Sequence, residues 1–114
     1  MSGVLEEKVV IVTGSAGGIG EGYARAVSEA GAKVVVADLD EGGAKRVAES
    51  IQGAGGDAVA VGVDIVSGES CRAMAEAAVA TYGGIDGLVN NAALFGGIKH
   101  ESLLRGDFDY YLKI

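Results

Sequence analysis

The sequence has no proline and no tryptophan, a single cysteine, a single histidine, and few aromatic residues. Each shortage excludes something. With Cys71 alone there is no internal disulfide framework, which points to a reducing, cytoplasmic setting. One His and one Cys do not make a metal site. His100, with Ser102 and Asp107 nearby in sequence, reads as an ordinary loop histidine and not as a member of a Ser-His-Asp set. Basic residues are also scarce, 9 against 16 acidic, for a net charge of −7. That argues against nucleic acid and against an anionic membrane surface. It leaves open an anionic small ligand, which backbone N–H groups hold without any lysine. The longest apolar runs, such as Val9–Val12 and Val34–Ala37, are far too short to span a bilayer. Met1 to Lys8, with Glu6 and Glu7, lacks the apolar stretch of a signal peptide.

What the sequence does have is small residues. Glycine and alanine make up one residue in three of the 114. The glycines follow no three-residue period, which excludes collagen, and they are interspersed with Val and Ile runs, which excludes a flexible linker. Without proline, glycine must do the turning. The length is that of one domain.

Four β-rich runs recur: Val9–Val12, Val34–Ala37, Ala58–Val63 and a weaker Ile85–Asn91. Three of them are nearly all apolar, as strands buried on both faces are. Helical spacing falls between them. Ile19, Tyr23, Ala26, Val27 and Ala30 form one stripe, and Ala44, Val47, Ala48 and Ile51 a second. Cys71, Met74, Ala75, Ala78, Val79 and Tyr82 form a third. Asp40 and Ser67 are N-cap residues in this reading, and Gly83 ends a helix. Asp107 would cap a last helix carrying Phe108, Tyr111 and Leu112, after a longer Leu94–Glu101 loop. The β-α alternation predicts a doubly wound α/β fold: a parallel sheet with helices on both faces.

The first run leads straight into Thr13-Gly14-Ser15-Ala16-Gly17-Gly18-Ile19-Gly20, and a helix follows. Such a turn gathers backbone N–H groups and the positive end of a helix dipole at one point. Glycines there let a pyrophosphate approach, so the ligand class indicated is a dinucleotide. The spacing is T-G-x-x-x-G-x-G, not G-x-G-x-x-G. Asp38 closes the second run, near the ~20-residue offset at which an acid meets the adenosine ribose. A carboxylate repels a 2′-phosphate, and no Lys or Arg stands at positions 15–17 or 39. NAD is therefore favoured over NADP.

Taken with Asp64 and Asn90-Asn91-Ala92, these residues resemble the N-terminal half of the short-chain dehydrogenase/reductase family, whose fold is Rossmann-like. The resemblance runs from about Lys8 to Ile114. It implies strand order 3-2-1-4 and an NAD(P)-dependent oxidoreductase acting on an alcohol or carbonyl substrate. It implies cofactor contacts at Gly14, Ser15, Gly17, Gly18, Ile19, Gly20, Asp38, Leu39, Asp64, Ile65, Asn90 and Ala92. Ala93 stands where the family most often has Gly. The family's catalytic Ser and Tyr-x-x-x-Lys are absent, and its helix Asn would fall just beyond Ile114. Tyr110 and Tyr111 precede Lys113 by the wrong spacing for that pair. Residues 1–114 thus read as the N-terminal part of one Rossmann-fold domain, truncated after the fourth βα unit and inactive alone. The fourth strand would be an open apolar edge, so homo-oligomers or self-association are expected. A non-catalytic nucleotide-binding or assembly module is the alternative.

Overall fold

A computed structural model describes residues 3–92. Within them the elements alternate: β1 (Val9–Thr13), α1 (Gly18–Glu29), β2 (Lys33–Asp38), α2 (Glu41–Gly53), β3 (Asp57–Gly62), α3 (Gly68–Tyr82) and β4 (Gly87–Val89). The strands pair in parallel in the order β3-β2-β1-β4. This is the order implied by the resemblance. The chain winds outward from β1 through β2 to β3, then returns to β1's other side. The order reverses between β1 and β4, and a crevice opens at the C-terminal ends of the strands.

Alternate residues of each strand feed opposite layers. Val10, Val12, Val34 and Val36 face α1 and α2, packing with Ala24, Ala44, Val47, Ala48 and Ile51. Ile11, Val35 and Ala37 face α3, packing with Met74 and Ala78. Both strand faces are covered, which is why the runs are apolar without alternation. Val12, Val34, Val35 and Val36 are wholly inaccessible. Burying each such side chain is worth about 1.5–3 kcal/mol.

Local signals set the helix ends. Asp40 accepts the Gly43 N–H at 3.0 Å and Ser67 accepts the Ser70 N–H at 3.1 Å. Gly83 adopts φ +87°, which glycine enters without a Cβ penalty, and its N–H bonds the Val79 carbonyl.

The expected stripe on α1 is corrected. Ile19, Tyr23 and Ala26 are exposed, and the buried face is Gly20 and Ala24 with Val27 beside them. Small residues let the helix axis settle close to the sheet, and no room remains there for Ile19 or Tyr23. On α3, Val79 is likewise exposed, while Met74 and Ala78 are buried. The fourth strand is shorter than Ile85–Asn91. Its start is set by Asp86, whose carboxylate accepts the Val9 N–H and whose own N–H bonds the Val9 carbonyl, each at 2.8 Å. Among the described residues β4 pairs only with β1, and Leu88 and Ile85 are exposed. The expected Leu94–Glu101 loop and Asp107–Leu112 helix lie outside the described residues. So do His100, Ser102, Tyr110, Tyr111 and Lys113.

Candidate functional site

The crevice is built on the turn from β1 to α1. Thr13 anchors it. Its buried hydroxyl faces the Val89 carbonyl at 3.3 Å and accepts the N–H groups of Asn91 and Ala92, each at 3.2 Å. The Asn91 amide donates to the Gly14 carbonyl at 3.1 Å. One threonine and one asparagine thus tie the exit of β4 to the exit of β1.

Two glycines make this closeness possible. A Cβ on Gly14 would stand 2.8 Å from the Ala92 Cα. One on Gly20 would run into the Gly14 carbonyl and come within 2.6 Å of the Asn91 amide nitrogen. Gly17 and Gly18 are different. No atom lies within 4 Å of where either Cβ would be, so they face open space. Gly18 also has φ +59°, a left-handed conformation that most residues enter at a cost. No side chain caps α1 at Gly17. The first N–H groups of that helix therefore look into the crevice with the dipole's positive end behind them.

The far rim comes from the end of β2. Asp38 is half-buried, and each of its carboxylate oxygens accepts one backbone N–H at 2.9 Å, Oδ2 from Ala16 and Oδ1 from Asp40. Lone pairs remain for other donors. Ser15 lies beneath the crevice instead of in it. Its hydroxyl, fully buried, donates to the Val12 carbonyl at 2.7 Å and accepts the Ala37 N–H at 3.1 Å. Its own N–H bonds the Ala37 carbonyl. Its hydroxyl and N–H thus join the end of β1 to β2, and Ser15 acts as a strut under the turn.

The end of β3 supplies a third wall. Asp64 accepts the Val66 N–H at 3.1 Å, and its own N–H bonds the Ser70 hydroxyl at 2.9 Å. Leu39, Ile65 and Val66 project apolar surface into the crevice, with Val63 buried behind.

Together these residues enclose about 380 Å³, within the range of small-ligand clefts. Gly14, Gly17, Gly18, Ile19, Asp38, Leu39, Asp64, Ile65 and Ala92 all line it, as the sequence suggests. Gly20 supports it from below. Asn90 is exposed and outside the lining, and its neighbour Asn91 lines the crevice. Thr13 and Val66 were missed as well. The Val12–Val89 register decides which asparagine of the pair turns inward, and composition carries no trace of it.

The arrangement offers an anion-binding helix start, a carboxylate that can accept hydrogen bonds from hydroxyl groups, and an apolar slot for a flat ring. That set fits the adenosine diphosphate part of a dinucleotide. Among the described residues there is no cluster of metal-ligating side chains, and no helix is long and apolar enough to cross a membrane.

The family model for short chain dehydrogenases matches residues 8–114. An uncharacterized oxidoreductase of Mycobacterium tuberculosis is 56% identical over 110 residues, spanning 96% of this chain and 44% of that protein. Galactitol 2-dehydrogenase of Agrobacterium fabrum is 43% identical over 114 residues, spanning 96% of this chain and 43% of the relative. The crystal structure of a short chain dehydrogenase from Mycobacterium avium superposes with TM-score 0.85 at 35% identity, covering 97% of this chain and 40% of that one. The chain thus spans less than half the length of these relatives.

Proposed function

We propose that this chain, which belongs to the short-chain dehydrogenase family, is the N-terminal part of one dinucleotide-binding domain and forms its NAD(H)-holding side, serving an oxidoreductase of alcohol or carbonyl substrates. Members of the family use a nicotinamide dinucleotide. When bound, that cofactor supplies or accepts the hydride.

The chain's own residues bind and orient. The N–H groups of Gly18, Ile19 and Gly20 hold the pyrophosphate, since no side chain competes for the start of α1. Asp38 accepts the hydroxyls of the adenosine ribose. Leu39 and Ile65 enclose the adenine, Asp64 meets its amino edge, and Ala92 continues the floor toward the nicotinamide. The observation that carries this reading is the pairing of open space over Gly17 and Gly18 with a carboxylate on the opposite rim.

NAD(H) is preferred over NADP(H) because the Asp38 charge repels a 2′-phosphate and Leu39 beside it brings no cation. Calorimetry on the full chain tests both points. ADP-ribose should bind, and its 2′-phosphorylated form should bind at least about tenfold more weakly, the scale of one lost charged contact. Asp38→Ser should narrow that gap. An absence of heat with ADP-ribose overturns the reading.

Self-association through the exposed Leu88 and Ile85 at the β4 edge belongs to the same proposal. Size-exclusion chromatography showing a monomer at all concentrations would contradict it. A reducing compartment is proposed from Cys71 as the single cysteine.

A further inference from the structure

Asp38 is held by two donors that belong to one closed ring. Its Oδ1 takes the Asp40 N–H, and the Asp40 side chain takes the Gly43 N–H at 3.0 Å. Gly43 lies against Ala16: a Cβ on Gly43 would stand 2.9 Å from the Ala16 Cβ and 2.5 Å from Asp40 Oδ2. Ala16 closes the ring by donating its N–H to Oδ2 of Asp38 at 2.9 Å. Asp40 itself is exposed and does not line the crevice.

We infer that Asp40 is a positioning residue for cofactor selectivity: through this ring it fixes the plane of the Asp38 carboxylate. The inference rests on the NAD(H) reading above. A freely rotating carboxylate can swing away from a 2′-phosphate and leave room for it. One clamped at both oxygens presents the same charge at the same place to every ligand. Holding the carboxylate between the start of α2 and the glycine turn makes the discrimination a property of the α2 N-cap, which is a residue removed from the ligand. The same clamp links the α2 N-cap to the pyrophosphate turn through Ala16.

The test measures, on the full chain, the affinity ratio of ADP-ribose to its 2′-phosphorylated form, together with the melting temperature. Asp40→Ala keeps the backbone N–H that Asp38 accepts but removes the cap that fixes it, and should reduce the ratio about fivefold, the scale of one N-cap. Asp40→Asn keeps the cap acceptor without the charge and should retain the wild-type ratio. Gly43→Ala, which forces Ala16 and Asp40 apart, should lower the ratio as Asp40→Ala does. Ser67→Ala removes the equivalent cap from α3 and should lower the melting temperature with the ratio intact. An unchanged ratio in Asp40→Ala, or in Gly43→Ala should the first variant not fold, overturns the inference. So does Asp40→Asn behaving like Asp40→Ala, because bare charge repulsion would then account for the effect. Wild-type chain that fails to bind ADP-ribose overturns the cofactor reading and this inference with it. Wild-type discrimination that survives Asp40→Ala overturns this inference alone.

Discussion

Where the strands begin, side chains close onto whatever is exposed. Asp86 takes the Val9 N–H, Gln52 donates to the Ala58 carbonyl, and the Tyr82 hydroxyl donates to Asp57 at 2.8 Å with Lys33 over its ring. Where the strands end, the first turn does the reverse. It has glycine where a side chain would sit and leaves the start of α1 without a cap, although α2 and α3 are both capped. The same βα unit is thus finished in two ways. A closed end contributes stability, and an open end forgoes some of it to keep donors available. Substitutions at the two ends should therefore separate stability from binding.

The largest expected effect is at Gly20. Gly20→Ala drives a methyl into the Gly14 carbonyl and should cost about 3 kcal/mol, the upper end for overpacking. Gly22→Ala, two residues along the same helix with open space around it, should instead stabilise by about 0.5–1 kcal/mol. Denaturant midpoints read both, and equal shifts would remove the distinction between a glycine that is packed and one that is spare.

Next comes the closed end. Asp86→Ala leaves the Val9 N–H without its charged partner and should cost about 2 kcal/mol. ADP-ribose affinity measured below the unfolding range should stay as in the wild type.

Gly17→Asp works in the opposite sense. Gly17 has extended backbone, which any residue adopts, and no atom near its Cβ position. The new carboxylate caps α1, so stability should hold or rise by a few tenths of a kcal/mol. Binding should fall about tenfold or more, as a like charge roughly 4 Å from a phosphate requires. Parallel loss of stability and binding would mean that the open start of α1 is not reserved for an anion.

The smallest effect is one that alkali removes. Burial first, then the hydrogen bond and charge of Asp57, raise the Tyr82 pKa well above its ordinary value. The folded state keeps this proton after the unfolded chain has released it, so the contribution is complete below pH ~10 and shrinks as pH rises further. The stability gap between wild type and Tyr82→Phe should close above pH ~10. A constant gap would show that the pair adds nothing pH-dependent.

Features that depend on neighbours in sequence could be read before the fold was known. Asp40, Ser67 and Gly83 end helices where expected, because capping acts over three or four residues. The apolar strands and the Ala44-Val47-Ala48-Ile51 stripe hold for the same reason. What escaped depends on partners far along the chain. The bond between the Ser15 hydroxyl and Ala37 forms only when β2 is laid beside β1, 22 residues on. Tyr82 and Asp57 meet only once α3 has crossed the sheet. Ile19 and Tyr23 satisfy helical spacing, yet the glycine at 20 draws α1 in on another face.

The Thr13 contacts also have a temporal side. They join residues up to 79 positions apart, whereas β1, β2 and β3 meet their neighbours through single crossovers. Closing so long a loop is slow and comes after nearer contacts have paid part of its entropy. During synthesis the β3-β2-β1 layer can therefore pair while the floor of the crevice is still missing. Only when Asn91 and Ala92 reach Thr13 does that floor exist, so the crevice is completed by contacts of long sequence separation.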